Sequence, residues 1–146
     1  MLRICQQRAA EAAGLLERDA AGMVDEREFL GLLVRIFGHL IAFERMDGAE
    51  IAGPVLARDK AYTAVAHRCA TADLAAASAP GADLAGLSSA DGGRYVCFGG
   101  GLPLRWEGRV VGGIGVSGGT ATQDAACAGA GAAVFDEAAG FGEDGT

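Results

Sequence analysis

The chain has 146 residues, enough for one domain with its own core. Its net charge of −7 and scattered basic residues argue against a nucleic-acid partner, which needs a clustered positive surface. No apolar run approaches the roughly 20 residues of a membrane span. We therefore expect a cytoplasmic protein without a membrane partner, built as one domain over residues 1–140 with an acidic tail at 141–146.

The composition favours self-association. Hydrophobic residues make up 51 % of the chain, but aromatic residues make up only 6 % and there are 24 glycines. Small side chains favour close-packed helices and tight turns over a bulky core. A thin core leaves apolar surface that a second copy can cover, so we expect a homo-oligomer.

The first half of the chain predicts a helix, a hairpin and a second helix. Residues 2–22 place apolar side chains at helical spacing, as in an amphipathic helix and unlike a signal peptide. The segments "FLGLLVRIF" and "HLIAFERM" predict a hairpin that turns near Phe37-Gly38, although the first arm also fits a helix. In the second arm, the two-residue alternation places Leu40 and Phe43 on opposite faces of the strand. A helix then begins at Pro54 and continues to about Cys69.

The second half predicts a loop, three strands and a closing helix. Thr71 is expected to cap a short helix, and residues 81–93 are expected to form a loop. The segments "RYVCF", "LPLRW" and "RVVGGIGVS" predict strands, the last two joined by a tight turn. Thr120 and Gln123 fit a capping box that opens the final helix. Because the strands come in hairpins, we expect an α+β fold with an antiparallel sheet of about five strands flanked by helices.

The stretch "GGIGVSGGTATQD" (residues 112–124) contains the spacing G-x-G-x-x-G. A dinucleotide-binding loop needs a further parallel strand after its helix, and too little chain follows to supply one. A strand that ends in glycines before a capped helix offers free N–H groups to an anion. Alternatively, the glycines only form the turn and the cap satisfies those groups.

Several segments carry a resemblance to a known family. The strings "HLIAFERMDGA", "RDKAYTA" and "GGGLPLRWEGRVVGGIGVSGGTATQD", in this order and spacing, resemble the GlcG/HbpS-like haem-degrading family, which includes the C-terminal domain of PduO-type proteins. The resemblance covers about residues 35–135. It implies a small α+β domain with a profilin-like layout, assembled as dimers to octamers, in which some members bind haem.

One segment departs from the family pattern. Members usually carry an acidic, small-residue turn before the strand that begins at His39, whereas this chain has "LVRIFGHL". Arg35 stands where an acid is common, and Phe37 replaces a small residue. The hairpin between Arg35 and Gly38 is therefore expected to be reshaped.

The second arm of the hairpin holds candidate ligand-binding residues. His39, in the family's H-L-x-A-F context, is a candidate axial ligand of haem iron, or else an exposed turn histidine. Phe43 and Met46 are candidates for an apolar wall around a ligand. Met46 is otherwise a core residue.

Two residues are candidates for proton transfer. Lys60 lies among small residues; if desolvated, it would serve as a base or form a Schiff base, and otherwise it forms a salt bridge. Glu44 is a candidate general base, with pairing to a nearby arginine as the alternative.

The glycine turn supplies the remaining candidates for ligand contact. These are Gly115, Ser117, Gly118, Gly119, Thr120 and Asp124. The first hypothesis is an oligomeric binding protein for haem or another planar, carboxylate-bearing compound, whose carboxylate meets these amides. The alternative is a cofactor-free isomerase, cyclase or lyase that acts on a small oxygenated substrate.

Overall fold

A computed structural model describes residues 30–35 and 39–140 of the chain. The predicted N-terminal helix, the turn at Phe37-Gly38 and the acidic tail lie outside these residues. The strands are β1 (Leu30–Arg35), β2 (Leu40–Arg45), β3 (Gly101–Trp106) and β4 (Arg109–Ser117). The helices are α1 (Gly53–His67), the short α2 (Leu74–Ala77) and α3 (Ala121–Gly140), with 3₁₀ turns at Thr71–Asp73, Leu87–Ser89 and Asp91–Gly93.

The described strands form a four-stranded sheet in the order β2-β1-β4-β3. Every pairing is antiparallel, which confirms the α+β class. The expected number of about five strands is wrong for the described residues, because the predicted strand at Arg94–Phe98 joins no ladder and Arg94 itself has helical backbone angles. Two threonine hydroxyls hold this segment instead: Thr63 accepts from the Val96 amide at 2.9 Å, and Thr71 donates to the Phe98 carbonyl at 2.6 Å.

Thr71 differs from its predicted role. Its hydroxyl makes no capping bond to the turn that it opens. The hydroxyl instead bonds across to Phe98 and accepts from the Gly101 amide at 3.0 Å. The side chain therefore fixes the entry into β3, a tertiary role that local sequence does not signal.

Helices lie on both faces of the sheet. α1 packs on the face of β4 that carries Gly115, where a Cβ atom would collide with the Ala57 carbonyl of the helix. α3 covers the other face, where Leu104, Ile114 and Val116 form the core with Cys127 and Ala128. The glycine on one face thus lets a helix backbone approach the strand closely, while the other face is packed by side chains.

The predicted starts of α1 and α3 are confirmed. Pro54 occupies the first turn of α1, where its missing N–H costs no hydrogen bond. At α3, the Gln123 amide donates to the Thr120 hydroxyl at 3.3 Å, and the Thr120 amide donates to the Gln123 side chain at 2.9 Å. This reciprocal pair is the predicted capping box.

Candidate functional site

A fully buried ion pair joins α1 to the start of α3. Lys60 Nζ lies 2.6 Å from Asp124 Oδ2, and these side chains are 0 % and 2 % exposed. The same ammonium donates to the Val116 carbonyl at 2.9 Å, at the end of β4. Burial lowers the pKa of Lys60 from its ordinary 10.5, although the hydrogen bond and charge of Asp124 oppose this shift.

An aromatic ring covers this pair. The ring centroid of Phe98 lies 4.7 Å from Lys60 Nζ, and Phe98 is 43 % exposed. The next residues bring the backbone against the pair: a Cβ atom on Gly100 would lie 2.9 Å from Lys60 Nζ and 2.8 Å from the Asp124 Cβ. Gly100 also has φ +121°, a conformation that other residues rarely adopt.

The chain's own side chains already bond part of the glycine turn. Asp124 Oδ1 accepts from the Gly119 amide at 2.9 Å, and Gln123 accepts from the Thr120 amide. Gly115 is buried beneath α1, and Ser117 is 3 % exposed. Asp124 therefore occupies the place at this turn that we had expected an external carboxylate to take.

The G-x-G-x-x-G spacing has a structural explanation. β4 ends at Ser117, Gly118 has φ +139°, and α3 begins at Ala121. A dinucleotide-binding unit requires parallel strands. The strand that leads into this turn has antiparallel neighbours on both sides, so the geometry of such a unit is not present here.

Exposed side chains gather on the edge strand β2. Leu40 is 51 % exposed and Phe43 is 43 % exposed. Leu40 pairs with Val34 and Phe43 pairs with Leu32, because a bulge shifts the register between these pairs.

The bulge changes which residues share a face. Val34 and Leu32 are two positions apart on β1, so their partners lie on one face of the sheet. This corrects the simple alternation, which put Leu40 and Phe43 on opposite faces. Arg45, two residues beyond Phe43, is exposed on the same face, and its guanidinium donates to the Ala49 carbonyl at 2.6 Å. We call Leu40, Phe43 and Arg45, with the exposed His39 just before them, the β2 patch.

Two other candidates on this arm lie away from the patch. Met46 is half-buried and packs against the core cluster on the α3 side. Glu44 pairs with Gly31, whose partner on β4 is Val116, so Glu44 belongs to the sheet face opposite Phe43. Neither is placed to form one wall with Phe43.

The structure does not bring His39 to the glycine turn. Leu40 aligns with Val34 and so with Gly113, whereas Arg45 aligns with Leu30 and so with Ser117. Four residue steps along the sheet and two strand spacings across it separate these ends by more than about 15 Å. The candidates therefore fall into two groups, one around Lys60 and Asp124 and one on β2.

Sequence reasoning missed Phe98 as a site residue. Phe98 is the last residue of the predicted strand "RYVCF", and its contact with Lys60 joins positions far apart in the chain. Of the available signals, only the run of three glycines that follows Phe98 indicated an unusual backbone at this point.

The fold defines a class of small α+β domain, and comparison with known proteins identifies the family. Residues 6–133 match the family described as haem degrading protein HbpS-like. The chain belongs to this family. An uncharacterised 15.0 kDa protein from the dhaT–dhaS intergenic region of Citrobacter freundii is 44 % identical over 87 residues. The match covers 60 % of this chain and 61 % of that relative.

Solved structures support the same assignment. Klebsiella pneumoniae protein ORFY superposes with a TM-score of 0.76 at 29 % identity, covering 93 % of this chain and 90 % of that one. A PduOC–haem complex superposes with a TM-score of 0.74 at 32 % identity, covering 91 % and 88 %. Within the described residues, no helix combines the length and apolar character needed to cross a bilayer.

Proposed function

We propose that this protein binds haem, or another planar compound that carries carboxylates, on the β2 patch, and that it does so as a homo-oligomer. The observation that carries the proposal is the bulge in β2, which places two exposed apolar side chains, Leu40 and Phe43, on one face beside an exposed histidine. The similarity to a haem complex of PduOC supports the choice of ligand.

The residues of the patch fit the chemistry of haem. His39 offers an imidazole nitrogen, the protein ligand that many haem irons take. Leu40 and Phe43 provide apolar contact for the macrocycle, and Arg45 offers N–H donors that match a carboxylate. When bound, haem would supply an iron centre. The chain's own residues would hold the ring, pair its carboxylate and set the access of water.

In this proposal Arg45, and not the glycine turn, binds the carboxylate of the ligand. The Gly119 and Thr120 amides are bonded to side chains of the same turn, whereas the Arg45 guanidinium is exposed on the face of Phe43. Leu40 and Arg45 lie about 13 Å apart along β2, so one extended planar ligand can contact both.

Titration of the purified protein with hemin tests this proposal. We expect a shifted Soret band in the wild type, a changed band position in His39→Ala, and binding at least about tenfold weaker in Phe43→Ser, because the macrocycle loses apolar contact. Leu84→Ser is the matched control, since Leu84 is 42 % exposed in a turn that is not part of the sheet. Light scattering on the same samples reports the assembly state.

A wild-type spectrum that matches free hemin would contradict the proposal. Equal loss of binding in Leu84→Ser and Phe43→Ser would also contradict it, because binding would then follow general apolar surface.

A further inference from the structure

Lys60 is unusual both in its residue type and in its buried position. It is the only lysine in the sequence, and every other basic residue among the 12 is an arginine. Arginine stays protonated in proteins, whereas a buried lysine amine loses its proton readily and can react as a nucleophile. A lysine at this one buried position is therefore chemically distinct from the surface cations of the chain.

Two sides of the Lys60 ammonium are occupied by fixed acceptors. Asp124 takes one hydrogen bond and the Val116 carbonyl takes another. An ammonium has three N–H groups, and the third side is covered by the ring of Phe98. Phe98 as a residue is 43 % exposed, so its side chain lies between the buried amine and the protein surface.

The backbone behind this ring is anchored. Thr71 donates to the Phe98 carbonyl at 2.6 Å, and the Gly100 carbonyl accepts from the Val116 amide at 2.8 Å. Uncovering the amine therefore requires rotation of the Phe98 side chain about its own torsions, without displacement of the loop.

We propose that Phe98 is a rotatable cover over a carbonyl-reactive amine, and that Lys60 forms a Schiff base with small aldehydes. The Asp124 carboxylate takes a proton from the ammonium, which leaves the amine with a free electron pair. That pair forms a C–N bond to the aldehyde carbon, and the carbonyl π electrons pass to oxygen. Asp124 returns this proton to the oxygen and carries a second proton to it from the nitrogen. The nitrogen pair then forms the C=N bond as the C–O bond breaks and water leaves, so one ammonium and one aldehyde give one protonated imine, paired with the Asp124 carboxylate, and one water.

The surroundings favour this chemistry. Burial lowers the pKa of Lys60, so the reactive amine form costs less than it does for a surface lysine. Asp124 lies 2.6 Å from the amine, within range for direct proton transfer. This site is separate from the β2 patch, so its test does not depend on haem binding.

Reductive trapping with acetaldehyde and cyanoborohydride tests the proposal. Peptide mass spectrometry separates N-ethylated Lys60 from the alkylated N-terminal amine, which serves as the reference in the same tube. We expect measurable labelling of Lys60 in the wild type and labelling at least about tenfold faster in Phe98→Ala, because the cover is removed. Trp106→Ala is the matched control, since Trp106 is a 37 % exposed aromatic on β3. Its labelling rate should match that of the wild type.

Urea below the unfolding transition distinguishes rotation of the cover from unfolding. Rotation exposes little surface, so the labelling rate should be nearly independent of urea. An unlabelled wild type, equal rates in Phe98→Ala and the wild type, or a rate that rises with urea as steeply as global unfolding would each overturn the proposal.

Discussion

At the residue scale, the ammonium of Lys60 links three elements. It belongs to α1, donates to the Val116 carbonyl at the end of β4, and pairs with Asp124 in α3. The second oxygen of Asp124 holds the Gly119 amide, so the pair also fixes the turn between β4 and α3. Removal of one partner from such a pair leaves the other charge buried and uncompensated.

Lys60→Met should therefore lower the free energy of unfolding by about 3–5 kcal/mol at neutral pH. Arg58→Met is the control on the same helix, because the Arg58 side chain is 52 % exposed. That control should change the stability by no more than about 0.5 kcal/mol. Urea denaturation measures both variants, and similar midpoints for the two would contradict this account of the pair.

The stability lost in Lys60→Met should depend on pH in a defined direction. The pKa of Lys60 is lowered in the folded protein, so between that value and 10.5 the unfolded chain binds more protons than the folded chain. The free energy of unfolding of the wild type therefore rises with pH in this window, and Lys60→Met lacks that contribution. The stability gap between the two proteins should therefore widen as the pH rises toward 10.5. A gap that narrows over this range would show that the pKa is raised.

At the element scale, α1 packs on the sheet by direct backbone contact. A Cβ atom on Gly115 would collide with the Ala57 carbonyl, whereas nothing lies within 4 Å of a Cβ placed on Gly129 in α3. The first glycine is required by packing, and the second costs its helix conformational entropy.

Two glycine-to-alanine substitutions should thus have opposite effects. Gly115→Ala should destabilise the protein by more than about 2 kcal/mol, because the backbone of α1 must move away from β4. Gly129→Ala should stabilise it by up to about 1 kcal/mol. Thermal unfolding followed by circular dichroism compares them, and equal shifts would show that the close approach is not needed.

The elements that were predicted correctly are marked by signals in the local sequence, such as the residues that start a helix. Pro54 marks the start of α1, and the Thr120–Gln123 pair marks the start of α3. Arg94–Phe98 has strand-like composition but is held by hydroxyl groups from distant threonines, and composition does not report such contacts. The shared face of Leu40 and Phe43 depends on a bulge, which a two-residue alternation cannot reveal.

The candidate site was predictable to a smaller degree. The sequence marked Lys60 and Asp124 as chemically interesting, and the structure brings them together. The salt bridge that was the alternative for Lys60 is confirmed, but the sequence did not identify Asp124 as its partner, because their pairing arises from the packing of α1 against the end of β4. For the same reason, it did not predict that His39 and the glycine turn lie at different ends of the sheet.

At the scale of the whole molecule, the strand order separates the two proposed sites. β2 lies at one edge of the sheet, whereas Phe98 leads into β3 at the other edge. We therefore expect a ligand on the β2 patch to make no direct contact with Phe98.

Saturation with hemin should leave the acetaldehyde labelling rate of Lys60 unchanged within about twofold, because the two sites do not share residues. Phe98→Ala, whose Lys60 is uncovered, serves as the sensitive background for this measurement. Protection of Lys60 by hemin would instead indicate one shared pocket and would overturn the division into two sites.

The position of Trp106 makes it an intrinsic fluorescence donor for measuring the distance to a bound porphyrin. It is the only tryptophan in the sequence and lies at the end of β3, the strand farthest from β2. Porphyrins absorb where indole emits, so energy transfer from Trp106 depends steeply on how far away the chromophore sits. The depth of fluorescence quenching would then report which edge of the sheet carries the pigment, without any added dye.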